Sequence, residues 1–209
     1  MKNMEYVLPQ DIEKRSFEII EEELIARGIT IDSLHKDVTK RVIHTTADFD
    51  YADTLVFSPN AVETARNLIR EGAVIVTDTN MAKAGINKNR LASLGGDVEC
   101  FMADEDVALL AKEQNVTRAY VSMHKAASLN RKIIFALGNA PTALIALDEM
   151  IKKGEFVPDF IIGVPVGFVN VEYAKELFIG GDIPYIINRG RKGGSNVAAA
   201  ICNALIYGC

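Results

Sequence analysis

Apolar positions recur at helical spacing over the first 44 residues, and from Thr54 onward they gather into short runs separated by amphipathic stretches. Pro9-Gln10-Asp11 reads as a helix start and Gly28 as its stop, with Ile12, Ser16, Ile19 and Glu23 or Leu24 in helical register between them. A second helix is predicted over about 34–44. The strand-like runs are 54–57, 73–76, 98–101, 132–135, 160–162 and 185–187. Helical segments are predicted at 60–71, 87–94, 104–114, 117–129, 142–153, 172–178 and 195–207. Strands that are apolar on both faces and alternate with helices indicate a parallel sheet covered on two sides. The expected fold is a single-domain three-layer α/β/α sandwich over residues 1–209, with a mainly parallel sheet in flavodoxin-like strand order.

Composition narrows the function classes. At 209 residues and 22.9 kDa the chain is long enough for one sizeable core. A formal net charge of −5 argues against a general nucleic-acid binder, which would carry a basic face. Cys100, Cys202 and Cys209 form neither a disulfide framework nor a zinc motif, which fits reduced thiols and an expected cytoplasmic location. The first residues, Met1 to Tyr6, lack the apolar stretch of a signal peptide, and no apolar run reaches the length of a membrane span.

In doubly wound folds, ligands bind outside the carboxyl ends of the strands. The segments there are Ser58-Pro59-Asn60, Thr77-Asp78-Thr79-Asn80, Gly138-Asn139-Ala140-Pro141-Thr142, Pro165-Val166-Gly167-Phe168 and Asn188-Arg189-Gly190-Arg191-Lys192-Gly193-Gly194-Ser195. Several run straight into a helix, so free backbone N–H groups are expected to face one crevice. Capping is the alternative, since Ser58, Asn139 and Ser195 are good N-cap types. The last loop carries three cations and three glycines within eight positions, more than a turn requires, and suits a clamp for carboxylate or phosphate. No dinucleotide glycine fingerprint, Walker A loop, serine elbow or zinc-protease motif is present in the sequence.

His44 is the foremost candidate for chemistry. An imidazole gives and retakes a proton near neutral pH. His44 ends a predicted helix, opens onto Thr45-Thr46-Ala47-Asp48, and has Arg41 one turn behind it on the same face. A surface or capping role is the alternative.

Five motifs in this order resemble the precorrin-8X (cobalt-precorrin-8) methylmutase family of corrin biosynthesis: Arg41-Val42-Ile43-His44, Val56-Phe57-Ser58-Pro59-Asn60-Ala61-Val62, Gly138-Asn139-Ala140-Pro141-Thr142-Ala143-Leu144, Gly163-Val164-Pro165-Val166-Gly167-Phe168-Val169 and Arg189-Gly190-Arg191-Lys192-Gly193-Gly194-Ser195. The likeness runs from about Ile12 to the C-terminus. It implies a flavodoxin-like homodimer with sites at the subunit interface, and an isomerase that moves a methyl group from C-11 to C-12 of the ring. It further implies His44 as the catalytic residue, Ser16 and Arg41 as substrate contacts, and Arg118 reaching in from the second subunit.

That chemistry is intramolecular and calls for no nucleotide, redox cofactor or protein-bound metal; any cobalt arrives inside the substrate. Protonation of the macrocycle by His44 suits the shift, and the substrate's carboxylate rim suits the converging helix N-termini with Arg189, Arg191 and Lys192, and with Gly193, Gly194 and Ser195. Phe168, Val166 and Met81 either cover a ring face or fill the core. A corrinoid-sequestering protein and an enzyme of a smaller phosphorylated or carboxylated ligand use the same features and stay open at this point.

Overall fold

The structure is a computed structural model that describes residues 6–209; the first five residues, part of the stretch read for a signal peptide, lie outside it. After a 3-10 turn at Pro9–Asp11 come α1 (Ile12–Ala26), α2 (Lys36–Thr46) and a short α3 (Tyr51–Thr54). Six strands follow in alternation with helices: β1 (Leu55–Phe57), β2 (Val74–Thr77), β3 (Asp97–Glu99), β4 (Ile133–Leu137), β5 (Phe160–Gly163) and β6 (Tyr185–Asn188). The helices between and after them are α4 (Ala61–Arg70), α5 (Asn80–Gly85), α6 (Lys88–Ser93), α7 (Glu105–Glu113), α8 (Arg118–Ala127), α9 (Pro141–Lys152), α10 (Val171–Glu176) and α11 (Ser195–Tyr207).

The sheet order is β1-β6-β5-β4-β2-β3. Strands β2 to β6 are mutually parallel in the 2-1-3-4-5 order of flavodoxin-like folds. β1 departs from that pattern. It pairs antiparallel with β6, Val56 opposite Ile187, and covers that strand's outer edge.

Alternation along the central strands sorts the core into two layers. Ile134 and Ala136 of β4 face the layer built from α2, α4 and α11. Ile133, Phe135 and Leu137 face the layer built from α8, α9 and α10. All five are fully buried, which explains why β4 reads as one continuous apolar run.

Two helices escaped the sequence reading, α3 and α5, and Thr54 closes α3 where a strand start was expected. The capping expectations also change. Ser58 Oγ accepts from Tyr185 N–H at 2.9 Å, joining β1 to β6, while Asn139 and Ser195 cap nothing. Thr79, Asn87 and Thr117 are the side chains that cap, taking N–H groups of α5, α6 and α8.

Candidate functional site

Three groups of expected site residues take shape. The first is on α1 and α2. These helices pack through buried Ile20, Leu24, Val38, Val42 and Ile43, which turns the opposite residues outward. His44 is exposed in the last turn of α2, its ring stacked on Phe17 with centroids 5.1 Å apart. The Arg41 guanidinium lies 4.7 Å from the Phe17 centroid and 5.6 Å from that of Tyr207, and it also pairs with Glu13. Ser16, beside Phe17, donates its hydroxyl proton to Ile12 O at 2.8 Å. Phe17, Arg41 and Tyr207 border a cavity of about 250 Å³ that Lys40 and Arg66 also line. The chain thus brings Ser16, Arg41 and His44 onto one helical pair, with Phe17 as an aromatic platform that the sequence reading did not single out.

The second group is the turn from β6 into α11. Its backbone rests directly on neighbouring loops. A Cβ on Gly193 would lie 2.0 Å from Val164 O, and one on Gly138 would lie 2.6 Å from Gly194 O, so neither position accepts a side chain. Ser195 Oγ is 2.7 Å from Thr79 Oγ1, tying the start of α11 to the end of β2. These contacts gather the carboxyl ends of β2, β4, β5 and β6 at the point where the strand order reverses.

The three cations of this turn are ion-paired. Arg189 meets Glu176 and Arg191 meets Glu172, both at 3.2 Å, while Lys192 bridges Asp48 and Asp50 at 2.6 Å each. The two carboxylates hold the Lys192 ammonium above the ordinary lysine range. Arg189 and Arg191 remain exposed and stay available to a ligand, whereas Lys192 fastens the turn to the segment that follows His44.

Part of the expected anion crevice is already filled by the protein. Asp78, fully buried, accepts the N–H groups of Gly138, Asn139 and Ala140 at 2.9, 2.7 and 2.6 Å. Burial pushes its carboxyl up, and the three donors oppose that. The β4–α9 loop therefore does not offer those amides to a ligand. Sequence reading placed Asp78 in a polar segment and missed this role, which joins residues about sixty positions apart.

Arg118 forms the third group. It is exposed at the start of α8 and lines a cavity of about 430 Å³ with Met102, Asn139, Thr142 and Val169. The small face of α8 packs within the chain: Ala119, Ser122 and Ala126 are buried, Ala119 and Ala126 against the α9 layer. Phe168, Val166 and Met81 are exposed rather than core, which leaves them free to meet a ligand. Among the described residues no group of three or more histidine, cysteine, aspartate or glutamate side chains is placed to hold a metal ion, and no helix is long and apolar enough to cross a membrane.

Comparison with known proteins places the whole chain in a family. Residues 11–208 match the family model of precorrin-8X methylmutase. The cobalt-precorrin-8 methylmutase of Priestia megaterium is 43% identical over 95% of this chain and 88% of its own length. That of Salmonella typhimurium is 44% identical over 95% of both. A precorrin-8X methylmutase from Pseudomonas aeruginosa is 39% identical over 94% of each chain. The crystal structure of precorrin-8X methylmutase from Thermus thermophilus superposes with a TM-score of 0.84 at 38% identity, covering 94% of this chain and 96% of that one. With the fold, the length and nearly every residue accounted for, the chain belongs to the precorrin-8X methylmutase family, and it is an isomerase of cobalamin biosynthesis.

Proposed function

We propose that this methylmutase moves a methyl group from C-11 to C-12 of cobalt-precorrin-8, giving cobyrinate, with His44 giving a proton to the macrocycle and retaking it. The observation that carries this reading is the exposed imidazole of His44 on the Phe17 platform, with Arg41 over the same ring. The bond at C-11 breaks as the bond at C-12 forms, so substrate and product are isomers and no external group is consumed. Protonation draws electron density from the migrating system, and general acid help of this kind supplies about 10²–10⁴-fold. The remainder comes from holding the ring in the reactive geometry. Preference for the cobalt form rests on relatives: those in Priestia, Salmonella and Leptospira, 40–44% identical, are named cobalt-precorrin-8 methylmutases.

Ser16, Arg41, Arg118, Arg189, Arg191, Gly193, Gly194 and Ser195 are the proposed substrate contacts, with no bound cofactor and with cobalt carried in by the substrate. The protein works as a cytoplasmic homodimer in this reading, Arg118 of one subunit completing the site around His44 of the other. Two facts support a site shared between chains: within one chain Arg118 lies in a separate cavity from the His44 cluster, and it is exposed.

Turnover of cobalt-precorrin-8 followed by its visible spectrum tests the function. Conversion to the cobyrinate spectrum is expected; spectral binding without conversion would leave a sequestering protein, and no response would remove the corrinoid reading. Mixing inactive His44→Ala and Arg118→Ala proteins tests the dimer. Each mixed dimer then holds one intact site, so activity returns after subunit exchange, and its failure to return refutes action across the interface.

A further inference from the structure

The turn Arg189–Ser195 has every carbonyl from 189 to 192 engaged by donors of the protein. Asn188 Nδ2 donates to Arg189 O at 3.1 Å and to Lys192 O at 2.9 Å. Lys175 Nζ donates to Gly190 O at 2.7 Å and to Lys192 O at 2.8 Å. Gly167 N–H donates to Arg191 O at 3.2 Å. Asn188 and Lys175 are both 0% exposed, so these donors pull the carbonyls toward the interior.

In a planar trans peptide the C=O and the following N–H point in opposite directions. Carbonyls of 189, 190, 191 and 192 turned to the protein therefore turn the amides of Gly190, Arg191, Lys192 and Gly193 away from it. Among the described residues those four amides have no protein acceptor, whereas Arg189 N–H and Gly194 N–H, at the two ends, bond to Thr54 O and Val164 O. A short run of outward amides, with exposed Arg189 before it and exposed Arg191 within it, has the donor pattern of a carboxylate cradle.

Lys175 stands out among the residues that build it. It sits on α10 among buried Val171 and Ala174 and, just past the helix, Phe178; among the described residues no carboxylate lies within salt-bridge distance, and Glu172 acts on it only from farther off. Leaving an ammonium so placed is costly unless its hydrogen bonds are needed. Its helix neighbours one residue on and three before, Glu176 and Glu172, hold Arg189 and Arg191, so α10 contacts the turn at its cations and at its backbone together.

We propose that Lys175 is a positioning residue which holds the Arg189–Gly193 backbone with its amides outward, and that these amides bind a carboxylate of the corrinoid rim. The proposal rests on the corrinoid reading above and deepens it. Lys175 itself touches no substrate; it acts through the turn.

The test uses the full-length protein and cobyrinate, the carboxylate-bearing product, as the probe. In wild type, the ¹⁵N–¹H signals of Gly190, Arg191, Lys192 and Gly193 are expected to shift on cobyrinate addition. Lys175→Met should raise the KM for cobalt-precorrin-8 about tenfold or more while kcat stays within about threefold, since transition-state chemistry is untouched when only uniform binding is lost. The loss should shrink for cobyrinate whose carboxylates are methyl-esterified. Lys175→Gln, which keeps one donor arm, should fall between wild type and Met, and it stands in should the Met protein fail to fold. Wild-type binding that leaves the four amides unshifted overturns the proposal, as does a folded Lys175→Met protein with wild-type KM. If wild type binds no cobyrinate at all, the corrinoid reading itself fails, and this inference with it.

Discussion

His44 and Arg189 both stand on the surface, yet the backbone beneath them is secured by different means. Under His44, α1 and α2 are held by apolar packing of Ile20, Leu24, Val38, Val42 and Ile43, with ion pairs such as Lys40–Glu21 laid over the outside. Under Arg189 the securing groups are polar and buried: Lys175, Asn188 and, across the crevice, Asp78. In the first region a surface side chain can be removed without disturbing what supports it. In the second, support and presentation depend on the same hydrogen bonds, so loss of a buried donor or acceptor there is expected to change binding and stability together.

The sharpest separation is predicted for His44→Ala. Its kcat should fall about 10²–10⁴-fold, while unfolding free energy moves by no more than about 1 kcal/mol, the worth of an exposed ring stacked on Phe17 in the last turn of a helix. Turnover and denaturant titration on one preparation check both. A large loss of stability would erase the contrast.

Asp78→Ala is the matching change in the second region. It strands three N–H groups, each costing about 1–3 kcal/mol when left unsatisfied in the interior. A loss of about 3 kcal/mol or more is expected, lowering Tm by roughly 6–12 °C at about 2–4 °C per kcal/mol. Calorimetry showing no change would mean that water replaces the carboxylate there.

Arg191→Ala should act on binding. Loss of a charge-assisted contact is worth about 1.5–3 kcal/mol, or about 10- to 150-fold in Kd for cobyrinate. Stability should hardly move, because the Arg191–Glu172 pair is solvent-exposed and such pairs contribute about 0–1 kcal/mol. A variant that binds normally would reduce the turn to a connection.

The smallest effect concerns pH. Burial pulls Lys175 down to about 8 from the ordinary 10.5. The unfolded chain then holds this proton over a range where the folded chain has released it, so folding gains stability as pH rises from about 8 to 10.5. The Tm of wild type minus that of Lys175→Met should widen over that range. The neutral amine keeps N–H donors for the two carbonyls, so the turn is expected to survive the titration.

Most of the fold was legible because its strands are wholly buried and its helices are long enough to show a face. β4 and β5 read directly from their apolar runs. α5 did not, since only Ala82 of its six residues is buried and its cap, Thr79, looks like loop. The direction of β1 left no mark in three residues, because an edge strand reads the same either way. At the site, His44 and the cationic turn were visible as residue types in suggestive places. Their partners were not: Lys192 meets Asp48 across 144 positions and Asp78 meets Gly138 across 60, and no local pattern records such pairs. Lys175 did leave a trace, a lysine in the apolar register of Val171, Ala174 and Phe178, where solvent was not to be expected.

Chain order adds a kinetic consequence. Among the described residues β1 pairs with β6 alone, with Leu55 opposite Asn188, and α2 packs chiefly on α11 at the far end of the chain. Both candidate regions are thus closed by the last 25 residues or so, loops of high sequence separation whose closure is slow. During synthesis the central parallel strands can assemble early, whereas the helix that carries His44 and the turn Arg189–Ser195 gain their packing partners together, once Ser195–Tyr207 has been made. A nascent chain short of that helix would hold much of the sheet with neither candidate region in place.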